Sequence, residues 1–183
     1  MVPISGRLLV ASPMLLDPNF ARTVVLMLAH GDEGAWGLVL NRPSDVDVGQ
    51  VLPDAWRNVS PEPHVLFVGG PVGADSVIGL ARVPGEGGDG FVAMAGAVGT
   101  VDLEKAPEAI GQGVEIARVF AGHAGWGPGQ LEGELEVPGW IVVDAEPSDA
   151  FTTDPDELWR AVLKRQPGRL SWLANFPDSL MAN

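Results

Sequence analysis

The sequence predicts one α+β domain built mostly of short strands. Three observations lead there. The chain has 183 residues, the length of a single domain. Its 46% hydrophobic and 19% charged residues are the balance of a globular protein with a sizeable core. Its 24 glycines and 16 prolines are scattered between short apolar runs, which is how a sheet-rich chain is punctuated. No repeat and no linker divides residues 1–183.

Arg7–Ala11 reads as the first strand. Thr23–Ala29 is apolar and rich in β-branched residues, and reads as a buried strand. Trp36–Leu40 is its hairpin partner across the turn Gly31-Asp32-Glu33-Gly34. Val65–Val68 is a short buried strand that stops at Gly69-Gly70-Pro71. Val77–Val83 and Phe91–Ala95 flank the loop Pro84–Gly90 and read as a second hairpin. Arg118–Ala121 and Trp140–Val143 complete the strands. Helices are fewer. Asp102 can cap a helix over Leu103–Gln112, although Pro107 falls within its first turns. Asp154 as N-cap, Pro155 at the first position and Glu157 at the third form a capping-box pattern. Leu158, Trp159, Val162 and Leu163 then give that helix an apolar face. A further helical turn is expected at Leu170–Phe176, after Pro167-Gly168.

Composition narrows function. Cysteine is absent, so disulfides, thiolate-bound metals and thiol catalysis are excluded. The net charge of −13 repels phosphate backbones and makes direct nucleic-acid binding unfavourable. Met1–Leu16 lacks the basic start and long apolar core of a secretory signal. The longest apolar run, Val24–Ala29, is far short of the ~20 residues of a membrane span. The expectation is a cytoplasmic protein with no membrane partner.

Gly85-Glu86-Gly87-Gly88-Asp89-Gly90 fits the dinucleotide pattern GxGxxG, but a strand follows it instead of a helix, so it reads as a hairpin loop. No phosphate-loop lysine, nucleophile-elbow serine or HExxH pair occurs, and no cofactor is expected. His30, His64 and His123 share no local ligand spacing, and no metal site is expected. His30, at a strand end, reads as a hydrogen-bonding residue of the turn or as a weak catalytic candidate. Asn41-Arg42-Pro43 closes a strand: Arg42 can clamp a carboxylate or phosphate, or pair with a nearby aspartate. In Gly122–Glu132, four glycines surround Trp126 and a helix starts near Pro128. This segment is either a binding loop or a tight loop with Trp126 plugged into the core. Asp144, Glu146, Asp149, Asp154, Asp156 and Glu157 can hold a hard cation or serve as caps and solvated loop residues. Arg160, Lys164, Arg165 and Arg169 form the basic cluster, with Arg160 and Lys164 on one helix face as partner-contact candidates.

Three segments in order carry a resemblance. They are GRLLVASPMLLDPNFARTVVLMLAHGDEGAWGLVLNRP, VLFVGGPV at Val65–Val72, and RVFAGHAGWGPGQLEGEL at Arg118–Leu135. Together they resemble the AlgH/YqgE family across nearly the whole chain. His123 departs from the aromatic residue many members carry. The resemblance implies a mixed, branched sheet curled into a pseudo-barrel with flanking helices. It also brings in a family described in part as transcriptional regulators, named from a role proposed in exopolysaccharide production. The matching polar and glycine-rich residues are Asp17, Thr23, His30, Asn41, Arg42, Gly125, Trp126, Gly127 and Gln130. These are the ligand-binding candidates, some of which are expected to converge near one cleft. The leading functional expectation is a binding or regulatory module for a protein partner or a small anionic ligand. The alternative is an enzyme on a small anionic substrate, with Arg42 holding the anion and His30 as acid/base.

Overall fold

The computed structural model describes residues 2–178. It contains ten strands: β1 Arg7–Ala11, β2 Val24–Gly31, β3 Gly34–Val39, β4 Pro43–Asp47, β5 Val65–Val68, β6 Val72–Arg82, β7 Phe91–Ala95, β8 Val98–Val101, β9 Ile116–Trp126 and β10 Trp140–Asp144. Three α-helices join them: α1 Asp54–Asn58, α2 Gln130–Leu135 and α3 Pro155–Lys164. The chain is mostly β, with a sheet curled into a half-barrel.

The sheet runs β10-β1-β2-β3-β9-β6-β8-β7. It branches at β9. One edge of β9 carries β6, from Val72 opposite His123 to Arg82 opposite Ile116. The other edge carries β5 in parallel, Phe67 opposite Phe120, and then β3 antiparallel, Ala35 opposite Trp126. The Val39 amide donates to the Gly69 carbonyl at the fork.

Two-residue periodicity sorts side chains between the faces. Leu8, Val10, Val24, Leu26, Leu28, Leu38 and Leu40 face one core, where Leu158, Trp159, Val162 and Leu163 of α3 cover them. Leu9, Ala11, Val25, Met27, Ala35 and Val39 face the other, closed by Leu131 of α2 with Trp126 and Trp140. A third cluster, including Trp56, Ile110 and Val119, fills the space under α1.

Four expectations are corrected. Val77–Val83 and Phe91–Ala95 are not hairpin partners, because β8 lies between them and pairs with both. The helix expected over Leu103–Gln112 is only a 3-10 turn, Pro107–Ala109, with Pro107 at its start. Proline has no amide to donate and its ring crowds the preceding turn, so the helix cannot run through it. Asp154 precedes α3 as expected, yet its side chain caps nothing. Instead, the Glu157 amide reaches the Asp154 main-chain carbonyl at 3.2 Å. The helical turn expected at Leu170–Phe176 is present as a 3-10 helix, Gly168–Asn175, with Phe176 at its C-cap.

The last correction concerns Gly122–Trp126, which continues β9 instead of forming a loop. The glycines serve close backbone packing at the fork. Gly122 has φ +71°, and a Cβ there would lie 2.7 Å from the Gly70 carbonyl oxygen. Gly70 has φ +153°, and its Cβ would lie 2.2 Å from the His123 carbonyl carbon.

Candidate functional site

The ligand-binding candidates fall into two groups at opposite ends of the β2–β3 hairpin. His30 pairs with Ala35 at the turn end, and Val25 pairs with Val39 at the other, next to Asn41 and Arg42. At ~3.3 Å per residue the ends are roughly 16 Å apart. A cleft shared by Arg42 and Gln130 is therefore not formed: the candidates lie in two places.

At the turn end, His30 is locked. Its side chain is 4% exposed. Nδ1 accepts the Ile4 amide at 3.2 Å, so the ring proton resides on Nε2, 2.9 Å from Glu132 Oε1. Both ring nitrogens are thus engaged. The Glu132 carboxyl is held below the usual range by its own backbone amide and then by the His30 N–H. A carboxylate with a lowered folded pKa adds stability that is present above its unfolded value, near 4.5, and is lost as pH falls through the folded value. Glu132→Gln is therefore expected to flatten the acid limb of the stability profile below about pH 4.5, read from melting temperature against pH. An unchanged limb would remove the pair from the acid response.

Beside it, Trp126, Gly127 and Gln130 form one network. The Gly127 amide donates to Gln130 Oε1 at 3.0 Å, and Gln130 Nε2 donates to Glu134 Oε1 at 3.0 Å. Glu134 Oε2 accepts both the Trp126 and Trp140 indole N–H groups, each at 3.0 Å. Phe20 stacks on Trp126 at 6.0 Å and meets Trp140 edge-on at 5.4 Å. Gly125 is exposed nearby, in an open hollow lined also by Trp36, Ile78 and His123. His123 packs edge-on against Trp36. Among the described residues, no group of three or more His, Asp or Glu side chains is placed to hold a metal ion.

At the far end, Asp17, Thr23, Asn41 and Arg42 all bond to the loop Asp17–Thr23. Asp17 Oδ1 accepts the Asn19 amide at 2.8 Å, and Thr23 Oγ1 donates to the Phe20 carbonyl at 2.7 Å. Asn41 Oδ1 accepts the Val24 amide at 3.0 Å, while its Nδ2 donates to the Arg22 carbonyl at 2.8 Å. Arg42 donates to the carbonyls of Pro18 and Ala21, each at 2.9 Å. These bonds surround Arg22, whose φ of +60° is the one positive value on a non-glycine among the described residues. That conformation costs roughly 1–2 kcal/mol and persists only where the surroundings over-determine it.

The held loop turns Arg22 onto α3. Its guanidinium lies 4.1 Å over the Trp159 ring, with Arg160 5.9 Å from the same ring. Burial, then the neighbouring Arg160, lowers the Arg22 pKa, and Asp178 pulls it back up. Arg22, Asn41, Arg42 and Arg160 line one polar cleft of about 360 Å3, with Asp156, Glu157 and Asp178 also on its walls. Asp156 and Glu157 occupy the first turn of α3, where the helix dipole favours them.

The AlgH-like family matches residues 8–171. The chain belongs to this family. An uncharacterised-family (UPF0301) protein of Streptomyces coelicolor is 51% identical over 98% of this chain and 95% of its own length. The crystal structure of a Corynebacterium diphtheriae protein superimposes with a TM-score of 0.88, at 36% identity, covering 96% of this chain and 94% of that one. The solution structure of the AlgH protein from Pseudomonas aeruginosa gives 0.71 at 30% identity, covering 97% and 96%.

Within this AlgH-like chain, Asn41 and Arg42, expected to bind a ligand, and Arg160, expected to contact a partner, line the same cleft, and the sequence reading missed Arg22. Nothing in Ala21-Arg22-Thr23 signals a left-handed arginine. Lys164 lies exposed one turn beyond Arg160. Half of the acidic stretch, Asp144, Glu146 and Asp149, is engaged by arginines. Asp149 takes Arg165 through both oxygens at 2.7 and 2.6 Å, and Asp144 pairs with Arg7 at 3.0 Å. Among the described residues no helix is long and apolar enough to cross a membrane.

Proposed function

We propose that this AlgH-like chain is a cytoplasmic binding or regulatory module that receives an anionic group, from a small ligand or a protein partner, in the cleft of Arg22, Arg42 and Arg160. The observation that carries the reading is Arg22. A strained backbone, held by Asn41 and supported by Arg42, delivers a guanidinium beside that of Arg160 on the Trp159 ring. Strain of this kind collects at functional sites. Guanidinium groups suit anions because several donors lie in one plane. The half-buried arginines line the cleft while Asp156 and Glu157 are exposed beside them, so an incoming anion meets donors whose competing water is already reduced. Lys164 extends the same helix face toward a larger partner.

The test is Arg22→Gly. Glycine adopts φ +60° freely, and the relief of roughly 1–2 kcal/mol offsets a lost cation–π contact of roughly 0.5–2 kcal/mol. The variant is expected to melt within a few degrees of wild type. In calorimetric titration with succinate at low ionic strength, wild type binds and Arg22→Gly does not. Equal binding by the two proteins would sink the reading.

A further inference from the structure

The cleft already contains a carboxylate of its own chain. Arg160 Nη2 donates to Asp178 Oδ1, and Arg22 Nη1 lies 3.9 Å from the same oxygen. The two guanidinium groups carry like charge and share the Trp159 ring, at 4.1 and 5.9 Å. Their repulsion is relieved by an anion between them, and Asp178 supplies it. The three side chains are not equally fixed. Those of Arg22 and Arg160 are 27% and 22% exposed, whereas that of Asp178 is 89% exposed. The arginines are further tied to backbone carbonyls: Arg160 donates to Ala174 and Phe176, and Arg22 to Phe176 and Pro177. The clamp is built in, and its occupant is held from one side with its other side in water.

An exposed ion pair contributes little to stability, so this carboxylate is exchangeable. We infer that Arg22 and Arg160 form a carboxylate-binding subsite, and that Asp178 is a placeholder which the carboxylate of an incoming ligand displaces. The inference rests on the anion-cleft reading and gives it a ligand class and a built-in competitor. Two features of the cleft select a carboxylate over a phosphate. The present occupant is a carboxylate, so its size and charge already fit. Asp156 and Glu157 line the same cleft, and their negative charge penalises charge concentrated on one phosphate more than the single charge on each of succinate's separated carboxylates. Asp178 also makes the site self-limiting, because a ligand must out-compete a group tethered to the clamp.

The experiment is calorimetric titration of the full chain, its Asp178→Ala variant and its Arg160→Gln variant with succinate and, separately, inorganic phosphate at low ionic strength. The Asp178 side chain is 89% exposed, so its replacement is expected to leave the fold intact. Circular-dichroism melting verifies that Arg160→Gln is folded. Asp178→Ala is expected to bind succinate roughly three- to tenfold tighter than wild type, because the competent fraction of clamps rises. Arg160→Gln is expected to lose succinate binding, and phosphate to bind more weakly than succinate throughout. Equal succinate affinity in wild type and Asp178→Ala overturns the placeholder and leaves the anion cleft standing. Phosphate binding tighter than succinate overturns the carboxylate class. No binding of either anion by wild type or Asp178→Ala overturns the anion-cleft reading itself, and this inference with it.

Discussion

Arg118→Met is expected to lower stability by about 3 kcal/mol, the net of lost charge-assisted bonds and relieved charge burial. Arg118 is 1% exposed on β9, the strand where the sheet forks. Among the described residues, no carboxylate bonds to its guanidinium. It donates instead to the carbonyls of Thr152 at 2.5 Å, Glu62 at 3.0 Å and Pro61 at 3.3 Å, and lies 4.2 Å over the Phe67 ring. Burial lowers its pKa to about 10, so it remains charged at neutral pH. Two terms oppose each other. Methionine keeps the apolar stem and removes the cost of a buried charge. It also strips the donors from three carbonyls, each charge-assisted bond being worth roughly 1.5–3 kcal/mol. The second term is larger, and a loss of about 3 kcal/mol in a chain this size lowers the melting temperature by roughly 6–12 °C. Lysine places one ammonium where three separated carbonyls need a fork, so Arg118→Lys should fall between. A melting temperature for Arg118→Met within about 2 °C of wild type would mean that the charge's desolvation dominates.

The second large effect is expected at Glu134→Ala. One carboxylate accepts Trp126, Trp140 and Gln130, and so joins the end of β9 to α2 and β10. Alanine leaves two largely buried indole N–H groups without acceptors, at roughly 1–3 kcal/mol each. A total near 2–4 kcal/mol is expected, with a weakened near-ultraviolet dichroism signal from the Phe20–Trp126–Trp140 cluster. Glu134→Gln keeps one acceptor oxygen for the indoles but turns an amide toward Gln130, and should cost about 1 kcal/mol. An alanine variant as stable as wild type would show that water replaces the carboxylate.

The strands were legible where pattern and burial coincide. Thr23–Ala29 and Trp36–Leu40 are apolar enough to read directly, and they form β2 and β3 with only their ends adjusted. β4 was illegible because Pro43–Asp47 is polar and half-exposed, and is a strand only through its pairing with β5. Gly122–Trp126 looked like a loop because glycine weakens strands. Here the fork demands close backbone approach, and tertiary pairing overrides propensity. The candidate site was legible by halves. Asn41 and Arg42 stood out at a strand end, but their task of holding the Arg22 loop depends on backbone geometry that composition does not encode. Glu134 gave no signal, since only the fold brings the two indoles to it. The sequence also joined two places that the β2–β3 hairpin holds apart.

Arg22, Arg42 and Arg160 are proposed to act together on an anion. The most direct measurement follows the arginine Nε–Hε resonances by NMR while succinate is added to the full chain at low ionic strength. Arg22, Arg42 and Arg160 are expected to shift along one saturating curve. Arg57 and Arg82, already paired with Asp47 at 2.9 Å and Glu115 at 2.8 Å on the surface, stay in place. Shifts spread evenly over all five arginines, or none at the cleft, would contradict it.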